Sequence, residues 1–187
     1  LLKDVNCIMI NYGYESGSNA ILKEIKKGVT REKALETGLL TKKVGIINIP
    51  EIIIGFPSET RETVEETIDF LKTLDTWSFS INTPIPFPGI PLWEHAIARS
   101  LIKDKEEFIM GYRRGLFVNF TNFSDRELLS LVAKVHYDPY LHWLRKRGHI
   151  LPYLKTLAVR FATVNLRRYI PEGAFSALRA VYHRSGF

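Results

Sequence analysis

Gly13-Tyr14-Glu15-Ser16-Gly17-Ser18, with Glu51-Ile52-Ile53-Ile54-Gly55-Phe56-Pro57-Ser58-Glu59-Thr60 downstream, decides the fold of this chain. The first stretch continues an apolar run, Cys7-Ile8-Met9-Ile10-Asn11-Tyr12, and a helix is predicted to begin near Asn19. The second closes the run Ile46 to Ile54, and its helix is predicted to begin near Thr60. Each unit is a strand, a glycine-bearing polar turn and a helix. A helix between two strands returns the chain to start the next strand in the same direction, so the strands are expected to be parallel. Proteins of this class place ligands at the carboxyl ends of such strands, where Glu15, Ser16 and Glu51 stand.

Outward from these turns the alternation continues. Ile21, Leu22 and Ile25 make one helical face; a second helix starts at Thr30, with Lys33 at the capping-box position, and ends near Gly45. The run Ile46–Ile54 is almost continuously apolar, as suits a strand covered on both faces. Thr60–Leu74 carries Val64, Ile68, Leu71 and Leu74 on one stripe, and Glu59, Glu62, Glu65 and Glu66 at its start complement the helix dipole. Trp77 to Ile85 alternates as a third strand, followed by a stiff loop carrying Pro84, Pro86, Pro88 and Pro91 and a short helix over Leu92–Ser100. Gly115–Asn122 is a candidate short β segment. Ser124-Asp125-Arg126-Glu127 is a capping box ahead of Leu128, Leu131, Val132 and Val135, a helix that Pro139 is expected to interrupt or kink. Further helices are predicted over 152–169 and 172–184.

Composition narrows the class. With 187 residues, 45% of them hydrophobic, the chain has enough length for one domain and an appendage. Its single cysteine excludes a disulfide framework and fits a reducing, cytoplasmic setting. No apolar run reaches the length of a membrane span. The net charge of +6 is concentrated at the C-terminal end: of the 26 Lys and Arg residues, Arg145, Lys146, Arg147, Lys155, Arg160, Arg167, Arg168, Arg179 and Arg184 follow residue 139, where Glu172 is the single acid. The expected organisation is residues 1–100 as the α/β unit and 101–187 as a mostly helical basic extension. Packing or partner contact is the commoner use of such a tail; an anionic membrane surface is a second use, and nucleic acid the least supported of the three.

Three blocks resemble the second half of the radical S-adenosylmethionine (SAM) barrel. These are Gly13-Tyr14-Glu15-Ser16-Gly17-Ser18 with Lys27-Gly28 after its helix, Gly55-Phe56-Pro57-Ser58-Glu59-Thr60, and Pro86-Phe87-Pro88-Gly89-Ile90-Pro91-Leu92. They stand in the superfamily's order and at plausible spacing over residues 5–95. The resemblance is greatest to the branch with a cobalamin-binding domain, typified by the anaerobic magnesium-protoporphyrin monomethyl ester cyclases. It implies an α/β fold, a partial (β/α) barrel of parallel strands followed by an α-helical extension. It also implies SAM as cofactor, a [4Fe–4S] cluster on C-x3-C-x2-C, and cobalamin in that branch. Cys7 alone cannot hold a cluster; it reads as a small buried hydrophobe, and the cluster cysteines and first strands are expected upstream, the chain being an excerpt that is inactive by itself. With them, the full-length enzyme would cleave SAM to a 5′-deoxyadenosyl radical.

The resemblance assigns SAM contacts to Gly13, Glu15, Ser16, Lys27, Glu51 and Pro84, and no catalytic or metal-binding residue. Each has a plainer reading beside it. Glu15 could cap its own Ser-Gly-Ser turn, Lys27 could be a solvated cation at a helix end, and Glu51 could pair with Lys42 or Lys43. Gly55-Phe56-Pro57 reads as a tight turn, and the backbone near Pro84 would pass the adenine edge. His136, His142, His149 and His183 match no zinc spacing. A different class of function remains open, a non-catalytic nucleotide-binding or interaction module with a docking tail. Strand 7–12 lacks a preceding neighbour, so either self-association or coverage of the open face by the C-terminal helices is expected.

Overall fold

The computed structural model describes residues 1–111 and 118–165. Its elements are β1 (Met9–Glu15), α1 (Asn19–Glu24), α2 (Arg31–Lys43), β2 (Ile47–Ile53), α3 (Arg61–Leu74), β3 (Ser80–Asn82), α4 (Pro91–Ala98), α5 (Lys105–Gly111), α6 (Asp125–Lys146) and α7 (Ile150–Asn165). The strands form one sheet in the order β1-β2-β3, both pairings parallel. This is the expected α/β partial barrel, an open sheet with helices and a helical C-terminal part.

Period-two alternation sorts the two faces of the sheet. Tyr12 and Tyr14 of β1, and Asn48, Pro50 and Ile52 of β2, point to the helices. Tyr14, Ile52 and Ile54 join Val64, Ile68, Phe70, Leu71 and Leu74 of α3 and Leu128, Leu131, Val132 and Val135 of α6 in the main core. Asn11, Gly13, Ile47, Ile49, Glu51, Ser80 and Asn82 take the other face, where Ile47 is 38% exposed. So the apolar run of β2 is covered on one face only among the described residues, not on both. Nor do α6 and α7 cover the open face, since α6 packs on α3 and on the adjoining flank of β3. Residues 166–187, with the end of the helix predicted over 152–169 and the whole of that over 172–184, lie outside the described residues.

Local signals explain most element boundaries. Thr60 and Thr63 form a reciprocal capping box for α3, and Ser124 and Glu127 do the same for α6. The Thr30 hydroxyl accepts the Lys33 amide at the start of α2. Three expectations are corrected. The third strand pairs over Ser80–Asn82 alone; Trp77 is 55% exposed, and Thr76 ties the preceding turn by donating to the carbonyls of Asn48 and Ser78. Of the candidate β segment Gly115–Asn122, residues 118–122 form no strand and 115–117 lie outside the described residues; Phe120 instead enters a second core with Trp93, Ala96 and Ile102. Pro139 does not stop α6, which runs on to Lys146. A proline within a helix forfeits one hydrogen bond, but Val135 before it and Leu141 and Leu144 after it are buried and hold both halves in place.

The C-terminal helices are tied to the sheet unit at Asp75. This residue ends α3 in the left-handed conformation (φ 52°) and lies within reach of three cations. Arg147 grips its carboxylate with two nitrogens at 2.9 and 3.1 Å, Lys42 reaches it at 2.9 Å and Lys146 at 3.3 Å. The Arg147 hydrogen bonds, followed by those from Lys42 and Lys146, hold the carboxyl well below the usual carboxylate range. A carboxylate with a depressed folded pKa contributes stability above its unfolded pKa, lost as pH falls through the folded value. Asn tolerates the left-handed cap, so Asp75→Asn isolates the charge. It is expected to cost about 2 kcal/mol at neutral pH, with the deficit relative to wild type shrinking once the pH is below about 4. Urea unfolding at several pH values measures this; a deficit independent of pH would assign the effect to shape.

Candidate SAM-binding site at the carboxyl end of the sheet

The carboxyl end of β1 is bent by a register shift between Gly13 and Glu15. Glu15 sits there at φ 66°, a left-handed conformation that costs a side-chain-bearing residue about 1–2 kcal/mol. Its carboxylate folds back over Gly13, and a methyl group on Gly13 would lie 2.8 Å from Glu15 Oε1 and 3.6 Å from Lys27 Nζ. Lys27 returns to this point because Lys26 and Gly28 both take positive φ after α1, whose Ile21 and Leu22 are buried. The ammonium of Lys27 donates to Glu15 Oε1 at 2.9 Å, and the two side chains remain 31% and 23% exposed. Half-buried charges of opposite sign thus stand at a glycine cradle.

Glu51 lies on the same open face. It is the register partner of Gly13 on one side and of Ser80 on the other, so Gly13, Glu51 and Ser80 form one row across the three strands. Asn11 Nδ2 donates to Glu51 Oε1 at 3.1 Å, and Asn82 Nδ2 donates to Ser80 Oγ at 3.1 Å. Lys42 pairs with Asp75 and not with Glu51. Asn11, Ser80 and Asn82 were not singled out from the sequence as ligand contacts, although their position opposite the buried alternation marks them.

Ser16 goes elsewhere. It is fully buried, its hydroxyl 3.3 Å from Thr67 Oγ1 and accepting the Ser18 amide at 3.1 Å, so it fastens the turn to α3. Gly17 lies against the same helix and donates its amide to Thr67 Oγ1 at 3.0 Å. Pro84 is buried at the end of β3, and its Cδ stands 3.4 Å from where a Gly55 side chain would begin. Glu15, Lys27 and Glu51 are therefore presented on the open side, and Ser16 and Pro84 support the turns beneath.

Glu59 is a residue whose role the sequence concealed. Its place among the acids at the start of α3 suggests a solvated dipole partner, yet it is 4% exposed. Its carboxyl accepts the Gly55 amide at 3.1 Å and meets Thr63 Oγ1 at 2.5 Å, bracing the Gly55-Phe56-Pro57 turn. Burial pushes its pKa up, against the lowering effect of Thr63 and Gly55. An acid whose folded pKa is raised contributes stability that is complete below its unfolded pKa and is lost as pH rises through the folded one. Glu59→Gln keeps an acceptor for Gly55 and cannot ionise. It is expected to flatten the stability gain on acidification from pH 7 to 5, leaving the variant at least as stable as wild type at pH 7. Thermal unfolding across that range tests it; an unchanged pH profile would remove Glu59 as its source.

SAM presents an ammonium, a carboxylate, ribose hydroxyls and an adenine edge, and the donor set on the open face, two carboxylates, an ammonium and carboxamides beside a bare glycine, fits that chemistry. An iron–sulfur cluster does not fit. Cys7 is the chain's single cysteine, lies before β1 at the amino end of the sheet, is half-buried and directs its Sγ to the Met9 carbonyl at 3.4 Å. Among the described residues no group of three or more His, Cys, Asp and Glu side chains could hold a metal. His136 packs edge-on to Phe79, and His149 stacks on Trp143; His183 lies outside the described residues. No helix among the described residues is long and apolar enough to cross a membrane.

Residues 1–71 match the Radical SAM superfamily. The chain is similar to a protein of Pyrococcus horikoshii named as an uncharacterized methyltransferase, 34% identical over 144 residues, which cover 75% of this chain and 30% of that protein. It is also similar to the tRNA-2-methylthio-N(6)-dimethylallyladenosine synthases of Aquifex aeolicus, 36% identical over 93 residues, and of Fusobacterium nucleatum, 42% identical over 60 residues. These stretches cover 47% and 31% of this chain, and 20% and 14% of the two synthases. The chain thus spans less than a third of the length of each.

Proposed function

Residues 1–71 belong to the radical SAM superfamily, and from that premise we propose that this chain forms the SAM-holding half of a barrel in a methyl- or methylthio-transferring enzyme. The observation that carries the reading is the Glu15–Lys27 pair folded over Gly13 on the open face, with Glu51 one strand away. Glu15 accepts hydrogen bonds from ribose hydroxyls, Lys27 pairs with the carboxylate of SAM, and Glu51 with Asn11 offers a second polar edge. The strand ends beside Gly55 and Pro84 pass the adenine. The uncovered face is where the remaining strands of the barrel close over the cofactor. A cluster held by cysteines elsewhere in the full-length protein would supply the electron that cleaves SAM.

Transfer of a methyl or methylthio group is supported by the names of the relatives, and cobalamin by the resemblance to the cobalamin-binding branch. A corrinoid absorbance spectrum of the purified full-length protein tests the second cofactor. Calorimetric titration of that protein with SAM tests the site itself. Glu51→Ala is expected to weaken SAM binding by about tenfold, the worth of one hydrogen bond to a charged group, with iron content unchanged. Undiminished affinity would exclude Glu51 from the contact, and absence of SAM binding by the wild-type protein would defeat the whole reading.

A further inference from the structure

On the far side of α3 from the open face, between α3, α6 and α7, lies a cavity of about 230 Å³ that the SAM reading does not use. Its polar lining is Lys72 of α3, Asp138, His142 and Arg145 of α6, and Tyr153 and Arg160 of α7. Three permanent cations thus face one carboxylate. Asp138 is taken by Arg160, whose Nε donates to its Oδ1 at 2.6 Å. Lys72 has a long contact, 3.4 Å, to the exposed Asp69. Arg145 has no carboxylate within ion-pair distance among the described residues.

We propose that this cavity binds a phosphate group, the charged end of a small phosphate ester or diphosphate. The Arg145 fork suits two phosphate oxygens and Lys72 supplies a point charge beside them. The Tyr153 hydroxyl and a ring nitrogen of His142 are neutral donors for the remaining oxygens. His142 reports the local field. Burial first, then the Lys72, Arg145 and Lys146 cations, push its pKa below the ordinary value, while Asp75 pulls the other way. Burial disfavours charge of either sign, but the share of the shift that comes from the three cations reflects a positive potential, and that potential favours an anion. The volume falls under the roughly 300–1,000 Å³ of sites that enclose whole small molecules, so the phosphate enters and the rest of the molecule stays outside. It is also one pit, whereas single-stranded nucleic acid needs a groove that follows its backbone.

The test is a titration of the full-length protein with inorganic pyrophosphate, followed through the ring signals of isotopically labelled His142. Binding is expected to be saturable and to raise the His142 pKa, and Arg145→Gln and Lys72→Gln, both at accessible side chains, are each expected to weaken it by about tenfold. Signals that shift without saturation up to about 10 mM pyrophosphate, or a saturable shift indifferent to both variants, would overturn the proposal. So would displacement of pyrophosphate by a single-stranded oligonucleotide lacking terminal phosphates, which would assign these cations to a polynucleotide; failure of the oligonucleotide to compete supports the small ligand. SAM affinity should be unchanged in both variants, which separates this site from the one on the open face.

Discussion

Glu15→Ala in the full-length protein is expected to weaken SAM binding by about ten- to a hundredfold, the range for losing hydrogen bonds to an ionised group. The informative companion is Glu15→Gly. Glu15 occupies a left-handed backbone position at φ 66°, which an L side chain adopts at a cost and glycine adopts freely. Glycine there loses the half-exposed pair with Lys27, worth at most about 1 kcal/mol, and gains a comparable amount from the relaxed backbone. Glu15→Gly is therefore expected to bind SAM as poorly as Glu15→Ala while being the more stable of the two. Calorimetry with SAM and urea unfolding of the same samples separate the two effects. Retained affinity in both variants would remove the carboxylate from the site. A glycine variant less stable than the alanine one would show that no strain is stored at this turn.

The second large effect belongs to Gly17→Ala. A methyl group there would meet Phe70 Cβ at 2.5 Å, Thr67 Cα at 2.7 Å and the Glu66 carbonyl at 3.0 Å. Those atoms belong to or adjoin the backbone of α3, so no rotamer change relieves the contact and the helix itself must withdraw from the sheet. The expected loss is about 3 kcal/mol, the upper part of the range for overpacking a filled interior. Gly28→Ala is the control, since at φ 72° with no atom within 4 Å of the added methyl it meets backbone strain alone, about 1 kcal/mol. Denaturant midpoints of the two variants measure the difference. Equal and small losses would mean that α3 is free to slide away from the turn.

Much of this architecture is legible in the chain because the signals are local. The glycine turns after β1 and β2, the Ser124–Glu127 capping box and the Val64–Leu74 stripe all act within a few residues of where they are read, and β1, β2, α3 and the start of α6 follow from them. The candidate site was half legible. Glu15, Lys27 and Glu51 are set apart by their motif positions, but the carboxamide of Asn11 acquires its meaning only when register places β1 beside β2. Glu59 misled for the same reason, and nothing local marks Asp75. An acid at a helix end looks solvated until tertiary packing buries it, as at Glu59, or surrounds it with cations drawn from 33 and 72 residues away, as at Asp75. Pro139 is the converse case, a strong local signal overruled by buried leucines on either side.

The three attachments of α3 make that helix a strut. Its first turn is joined to the Gly55 loop through Thr63 and Glu59, its middle to the Ser16–Gly17 turn through Thr67, and its last residue hands over to Asp75 and hence to Arg147 at the end of α6. A rod fixed at three points cannot translate at one of them alone. The loops that frame the candidate site and the junction with the C-terminal helices are thereby in mechanical series, so a load applied to α6 is borne by the same turns that shape the floor beneath Glu15.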